Sequence, residues 1–182
     1  MANVSINKQV DEWMNLLNLK PHPEGGFYAE TYRCDDQCTL ERYDKQIRSC
    51  STSIYFLLQY PDSPISHFHR IKADEMWHFY KGLPLIIHVL DEEKSSHIEY
   101  ILTNELNINP NTRPQLLVPH GKWFAAEIIT KDIKDENNNY TLCGCTCAPG
   151  FDYHDFELGK KSELLEKFPN FKELITRLTP SE

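Results

Sequence analysis

A series of short apolar runs separated by turn-forming residues constrains the fold of this chain most strongly. The runs extend over residues 52–60, 65–71, 75–80, 85–90, 97–103, 115–118, 123–130 and 140–148. The intervals between them contain turn formers such as Pro61, Pro64, Gly82, Gly121 and Pro149. Many short strands with turn signals between them are typical of an all-β sandwich or barrel. The pattern therefore predicts a β-barrel over residues 26–150.

Both ends of the chain show helical periodicity instead. Val10, Trp13, Met14 and Leu17 recur at helical spacing, which predicts a helix over residues 7–20 that stops at the following prolines. Apolar residues also recur at helical spacing over residues 160–178, where Pro169 should split the segment into two short helices. There is no repeat or linker, so we expect residues 1–182 to form one domain whose helices cover open parts of the barrel.

Composition excludes several classes of function. The net charge is −8, which argues against binding to nucleic acid or to an anionic membrane surface. No signal peptide and no run of the ~20 apolar residues that a membrane span needs is visible, so we expect a cytoplasmic protein. The six cysteines should then be reduced thiols and not a disulfide framework. The charge favours solubility and does not identify the small-molecule ligand that we expect as the partner.

The segment from His67 to Gly82 contains the most informative set of polar residues. Because strand side chains alternate between faces, His67 and His69 share one face, and Glu75 shares a face of the next strand with two aromatic residues. If the two strands pair through the turn at residues 72–74, both sets can point into the barrel. Two imidazoles and a carboxylate are a plausible ligand set for a divalent metal, and an equally plausible acid/base pair.

These residues resemble the first motif of the cupin superfamily. His67, His69, Glu75 and Gly82 occupy its positions, although the spacing between His69 and Glu75 is longer than usual. Residues 119–121 match the start of the second cupin motif, but Phe124 stands where that motif has a histidine. The resemblance implies the cupin double-stranded β-helix, a jelly-roll barrel.

A closer resemblance is to the Cupin-5-like branch of this superfamily, a domain of unknown function. Segments of the chain that carry it include residues 23–27, 53–58, 74–78, 114–115, 118–119 and 149–152. The resemblance implies a homodimer whose pocket is similar to that of keto-deoxyhexose epimerases, which work without metal. We therefore expect no cofactor. A divalent metal bound by His67, His69 and Glu75 is the alternative.

Nine residues are candidates for the site. His69 and Glu75 are the predicted catalytic pair, since burial of Glu75 among aromatic residues would raise its pKa toward neutrality. The candidates for ligand binding are His67, Tyr55, Trp77, Phe79, His88, Gln115 and Phe124. The aromatic members could also be simple core residues, and His88 could face either the solvent or the pocket.

Three functional hypotheses follow. The first is a metal-independent isomerase or epimerase that acts on a carbonyl-bearing ligand, sugar-like or nucleotide-linked, with His69 as the base. The second is a non-catalytic ligand-binding protein, because a fold does not determine a function. The third is a metal-dependent cupin, either a dioxygenase or an isomerase, against which Phe124 counts.

Overall fold

Two six-stranded sheets make up the body of the molecule, in a computed structural model that describes residues 8–105, 110–130 and 139–181. The strands are β1 (Lys20–Pro21), β2 (Phe27–Arg33), β3 (Gln37–Thr39), β4 (Ile47–Ser49), β5 (Thr52–Gln59), β6 (Ile65–Arg70), β7 (Asp74–Gly82), β8 (Leu85–Asp91), β9 (Ser96–Leu102), β10 (Thr112–Arg113), β11 (Gln115–Val118), β12 (Trp123–Ile128), β13 (Tyr140–Ala148) and β14 (Glu157–Leu158). The helices are α1 (Lys8–Leu16), α2 (Lys161–Lys167) and α3 (Lys172–Leu178). The predicted all-β barrel with short terminal helices is confirmed.

The order of strands is β1-β2-β5-β13-β7-β11 in the first sheet and β10-β9-β8-β12-β6-β14 in the second. Neighbouring strands are antiparallel except β9 and β10, which are parallel. Strands β3 and β4 form a separate hairpin. Neighbours in the sheets are often distant in sequence, as a jelly roll requires.

Strands β6 and β7 do not pair through the turn at residues 72–74, which was the condition for both sets of side chains to point into the barrel. Strand β6 pairs with β12 and β14, whereas β7 pairs with β13 and β11. The chain passes from one sheet to the other at residues 71–73 and does not turn back as a hairpin. Because the two sheets face each other, side chains from both strands still reach the interior. His69 of β6 and Glu75 of β7 therefore point into the barrel from different sheets.

Three apolar clusters hold the layers together. The largest lies between the sheets and includes Phe56, Trp77 and Phe124. A second joins α2 and α3 to the outer face of the second sheet, and a third joins α1 to the outer face of the first. Each fully buried large side chain contributes roughly 1.5–3 kcal/mol of transfer free energy. The helices therefore close the outer faces of the barrel and leave its interior free for a site.

The N-terminal helix is shorter than predicted. Helix α1 ends at Leu16, and Asn18 adopts a left-handed conformation with φ of 52°, so the helix stops before Pro21 is reached. Residue 7, the predicted start, lies outside the described residues. At the other end, Pro169 begins a 3-10 turn between α2 and α3, which confirms the predicted break.

All six cysteines are free thiols, as the sequence predicts. Among the helices that the structure describes, none has the length and apolar character needed to cross a membrane.

Candidate functional site

A cavity of about 500 Å³ opens at one end of the barrel. This volume lies within the range of small-molecule sites, roughly 300–1,000 Å³. The lining residues are Lys20, His22, Glu24, Tyr28, Glu30, Arg33, Thr52, Ile54, Phe56, His69, Ile71, Glu75, Cys145, Cys147, Phe151, Asp152, Tyr153 and His154. They come from both sheets, from the turn before β2 and from the segment after β13, so the barrel as a whole builds the site.

A buried histidine and a buried glutamate meet in this cavity. His69 Nε2 lies 3.3 Å from Glu24 Oε2, and both residues are almost completely buried. His69 Nδ1 lies 2.8 Å from the carbonyl oxygen of His67. Because a carbonyl oxygen can only accept, Nδ1 carries the hydrogen, and Nε2 is the nitrogen that takes up a proton.

Glycines in the turn before β2 bring Glu24 to His69. Gly25 and Gly26 have φ of 108° and 66°, a region that favours glycine. A Cβ atom on Gly25 would lie 2.2 Å from the carbonyl oxygen of Ile65, so the turn packs directly on β6. The backbone N–H of His67 donates to the carbonyl oxygen of Glu24 at 2.7 Å. The turn is thus fixed to the strand that carries His69.

The carboxylate of Glu24 has three side-chain partners. Ser66 Oγ donates to Oε1 at 2.7 Å, and His22 Nδ1 lies 3.2 Å from Oε2, the oxygen that also faces His69. Burial acts to raise the pKa of Glu24, but His69, His22 and Ser66 outweigh it and lower the pKa. Burial lowers the pKa of His69, and the charge of Glu24 offsets this only in part. An ionised Glu24 therefore lies beside a neutral imidazole.

Glu75 has the opposite electrostatic environment. Burial, followed by the negative charge of Glu24, raises its pKa to about 8. Its Oε2 atom is buried and has no hydrogen-bond partner among the described residues, nor does Trp77 Nε1. A protonated carboxyl group with one unpartnered oxygen thus faces the cavity at neutral pH.

Two cysteines of β13 form part of the cavity floor. Cys145 and Cys147 share one face of the strand, and burial raises the pKa of both thiols well above its ordinary value. They are therefore neutral thiols that behave as small apolar groups.

Aromatic and cationic side chains surround the mouth of the cavity. His22 packs edge-on against Tyr28, with ring centroids 4.7 Å apart, and stacks on Tyr153. The hydroxyl groups of Tyr28 and Tyr153 are 2.9 Å apart. The Lys20 ammonium lies 5.0 Å from the centroid of the Tyr28 ring, and Arg33 lines the same opening. The mouth thus combines flat apolar surfaces with charged side chains of both signs, since Glu30 and Asp152 line it as well.

A family model described as "Cupin superfamily (DUF985)", Cupin_5, matches residues 11–159. The chain belongs to this family. Two solved structures of similar length support the assignment. A hypothetical protein from Leishmania major is 32% identical, with a TM-score of 0.80 over 94% of this chain and 98% of that one. A protein from Shewanella oneidensis is 34% identical, with a TM-score of 0.79 over the full length of both chains.

More distant cupins share the fold alone. Oxalate decarboxylase from Bacillus subtilis is 16% identical, with a TM-score of 0.50 over 89% of this chain and 37% of the decarboxylase chain. None of the curated proteins matches this Cupin_5 chain.

The residues of this Cupin_5 barrel do not fit the metal centre that many cupins carry. His67 Nδ1 lies 2.7 Å from the carbonyl oxygen of Glu24, and His67 is not among the residues that line the cavity. Phe124, which stands where the second cupin motif has a histidine, packs against His69 with ring centroids 4.1 Å apart. In the described ranges, His67, His69 and Glu75 do not bring three ligand atoms within 4.8 Å of one another.

The structure places two of the nine predicted site residues, His69 and Glu75, in the wall of the cavity. Trp77, Phe79 and Phe124 pack in or against the core between the sheets. Tyr55 packs toward α1 on the outer face of the first sheet, and His88 is buried on the outer face of the second. Gln115 is exposed on β11, with Nε2 3.4 Å from His78 Nδ1. A ligand-binding role for these residues and for His67 stays a prediction.

Sequence reasoning did not assign a role to Glu24 or His22. Residues 23–27 carried part of the resemblance, but nothing in their spacing indicates that a turn so distant in sequence reaches His69. The available signal was a glutamate directly before two glycines, since such a pair predicts a tight turn close to another backbone.

Proposed function

We propose that this cupin binds a small carbonyl-bearing molecule, sugar-like or nucleotide-linked, and isomerises or epimerises it without a metal. The observation that carries the proposal is the pairing of opposite protonation states in one cavity. Glu75 is protonated at neutral pH, while His69 is a neutral imidazole with an unprotonated Nε2 atom beside an ionised Glu24. Two titratable groups with pKa values displaced in this way can serve as acid and base at the same pH.

His69 is the proposed base. Its Nε2 atom removes a proton from the carbon next to the ligand's carbonyl group, and the electron pair of that C–H bond becomes the π-bond of an enolate. Glu24 stabilises the imidazolium that forms, since its Oε2 atom is already 3.3 Å from Nε2. Without this carboxylate, the buried imidazole would resist protonation.

Glu75 is the proposed acid. Its protonated carboxyl group donates a hydrogen bond to the carbonyl oxygen, where negative charge accumulates in the enolate. The same role is known for carboxylic acids that an apolar site keeps neutral. Return of the proton by the His69 imidazolium to the neighbouring carbon gives the isomer. Delivery of the Glu75 proton to the opposite face of the original carbon gives the epimer.

The mouth of the cavity supports a sugar-like or nucleotide-linked ligand. Tyr153 is about half exposed, and its ring and that of Tyr28 offer flat surfaces for a sugar or a base. Lys20 and Arg33 would face an anionic group of the ligand, such as a phosphate. Arg33 is oriented by Glu30 and by the carbonyl oxygen of Phe151.

Exchange of a ligand proton with solvent tests the proposal directly. A panel of ketoses and nucleotide-linked keto-sugars is first screened for binding by thermal shift. Each compound that binds is then incubated with the protein in deuterated water, and the loss of the proton signal next to the carbonyl is followed by NMR. We expect exchange to be slower by about 10²–10⁴-fold in His69→Ala, the usual contribution of a general base.

Two further variants separate the roles of the carboxyl groups. Glu24→Gln should slow exchange and shift its pH dependence, because the imidazolium of His69 loses its counter-charge. Glu75→Gln retains a hydrogen-bond donor and should keep ligand binding while it weakens exchange. Saturable binding with no exchange in the wild type would contradict the proposal and would leave a non-catalytic binding protein.

The homodimer and the cytoplasmic location that the sequence suggests stay predictions. Light scattering over a range of protein concentrations tests the first. Fractionation of cells that express the chain tests the second.

A further inference from the structure

A second cluster of histidine and carboxylate side chains lies on the outer face of the second sheet. His97 and Glu99 project from the same face of β9, because alternate residues of a strand share a face. Glu99 pairs directly with His88 on β8. The neighbours of His88, Ile87 and Val89, belong to the core between the sheets, so His88 points away from the cavity.

Three potential ligand atoms of this cluster converge. His88 Nδ1 lies 3.0 Å from His97 Nε2 and 3.6 Å from Glu99 Oε1, and the last two atoms are 3.9 Å apart. A tetrahedral zinc ion with ligands at 2.0–2.1 Å requires neighbouring ligand atoms to be about 3.3 Å apart. The triangle formed by the three atoms is therefore close to one face of a zinc tetrahedron.

A carboxylate behind the cluster fixes the orientation of His88. Glu127 Oε1 lies 3.0 Å from His88 Nε2, and its other oxygen contacts the guanidinium of Arg177 on α3. Glu127 is thus an ionised acceptor, so Nε2 carries the hydrogen and Nδ1 turns its lone pair toward His97 and Glu99. Histidines that bind metals almost always donate their second N–H to a carboxylate, a carbonyl or water in this way.

We propose that His88, His97 and Glu99 bind one divalent transition-metal ion of the zinc type, with a fourth position open to solvent. Two imidazoles and a carboxylate suit Zn²⁺, Co²⁺ and Ni²⁺ better than Mg²⁺ or Ca²⁺, which prefer all-oxygen sites. The side chain of Glu99 is 57% exposed and that of His97 is 17% exposed, so an ion has a route from solvent. The site is separate from the cavity and does not depend on its function.

Metal binding competes with a hydrogen bond in the same cluster. Without an ion, His97 Nε2–H donates to His88 Nδ1, which explains the short distance between these nitrogens. With an ion, both nitrogens must offer lone pairs, and the hydrogen of His97 moves to its Nδ1 atom.

Titration of the protein with Co²⁺ and Zn²⁺ tests the proposal. The protein is prepared without a histidine tag, stripped with a chelator and dialysed. We expect one Co²⁺ per chain, a visible absorption band of the strength typical of four-coordinate cobalt, and loss of that band when Zn²⁺ is added. Calorimetry gives the stoichiometry and the affinity for Zn²⁺.

Variants assign the site to this cluster. His97→Ala should abolish binding, and Glu99→Gln should weaken it by tenfold or more. Both positions are less buried than His88, so these variants should fold, which circular dichroism checks. Glu127→Gln should weaken binding by about 10–100-fold, the usual effect of losing such a supporting carboxylate.

Two control variants should leave binding unchanged. His120→Ala removes a histidine that pairs with Asp74 elsewhere on the surface, and Glu75→Gln alters the cavity. Failure of the wild type to bind Zn²⁺ would overturn the proposal. It would also be overturned by unchanged affinity in a folded His97→Ala variant, or by loss of binding in Glu75→Gln.

Discussion

The second sheet carries a buried histidine on each of its faces, and the two are paired with carboxylates in different ways. His69 faces the cavity beside Glu24, and His88 faces outward beside Glu127, each with 2% of its surface exposed. Glu127 is also paired with a guanidinium, that of Arg177. The side-chain partners of Glu24 among the described residues are Ser66 and two imidazoles.

Because of this difference, Glu127 should keep its charge when the pH changes, whereas the charge of Glu24 should depend on the protonation of its partners. Burial acts to raise the pKa of Glu127, but the hydrogen bonds with His88 and with Arg177 outweigh it and lower the pKa. Of these two partners, Arg177 stays charged at all accessible pH values. The charge of Glu24 is balanced only by groups that themselves titrate. Glu75 adds a second carboxyl group with no cation, and its pKa rises to about 8. Proton transfer is therefore expected inside the barrel. The outer pair, His88 and Glu127, offers a fixed arrangement of ligand atoms.

Loss of the aromatic wall behind His69 should have the largest effect on stability. Phe124→Ala removes a fully buried ring from the core between the sheets and should lower the free energy of unfolding by about 3–5 kcal/mol. Urea denaturation measures the change. Leu117→Ala, at a position that is 45% exposed on β11, is the matched control and should cost less than about 1 kcal/mol. Equal losses in the two variants would show that Phe124 does not support the inner pair, His69 and Glu24.

Replacing Glu75 with a side chain that cannot ionise should stabilise the protein. A pKa raised from 4.5 to about 8 means that folding loses stability as the pH rises above 4.5, because only the unfolded chain ionises readily there. At pH 7 the cost is roughly 3 kcal/mol, at ~1.4 kcal/mol for each pKa unit. Glu75→Gln should recover most of it at pH 7–8 and almost none at pH 4. Urea denaturation at both pH values gives the result, and equal effects at the two would contradict the assigned protonation state.

The corresponding change in the outer pair should have the opposite sign. The lowered pKa of Glu127 stabilises the fold above its ordinary value of 4.5, and this contribution disappears as the pH falls through the folded-state pKa. Glu127→Gln should therefore cost about 1–3 kcal/mol at pH 7, the range for hydrogen bonds to charged groups. The loss should shrink at acidic pH. A gain in stability at pH 7 would mean that Glu127 and Glu75 do not differ in their effect on the fold.

Removal of Arg177 should have the smallest effect on stability and a clear effect on titration. The side chain is half exposed, so Arg177→Ala should cost roughly 0.2–1 kcal/mol, and less at high salt. The pKa of Glu127 should rise, because the variant removes a cation that lowers it. NMR titration of the glutamate carboxyl carbons detects the shift. An unchanged pKa would mean that Arg177 does not hold the charge of Glu127.

Strand alternation and the resemblance to the first cupin motif together indicated His69 and Glu75, which both line the cavity. His69 and Glu75 face the interior although β6 and β7 belong to different sheets, because alternation depends on each strand separately and not on its partner. The pairing itself could not be predicted from local sequence. A jelly roll places strands side by side that are far apart along the chain, and such contacts leave no periodic signal.

The partners of His69 and the role of His88 lay outside what the pattern could show. Glu24 reaches β6 through a turn more than forty residues away, and its hydrogen bond with Ser66 spans 42 positions. His88 interrupts an apolar run, which marks it as unusual, but its direction depends on the register between β8 and β12. Only the paired sheets determine which face each histidine occupies.

The backbone of β12 separates the surroundings of His69 on the inner face of the sheet from those of His88 on the outer face. Phe124 pairs with His69 and contacts its ring on the inner face, Ala125 pairs with His88, and Glu127 supports His88 on the outer face. Point substitutions can therefore alter either environment alone during evolution or engineering. An insertion or deletion within β12 cannot, because a shift of one residue would turn Phe124 outward and Glu127 inward at the same time. Variation in the length of this family's chains should accordingly fall in the loops on either side of the strand and not within it.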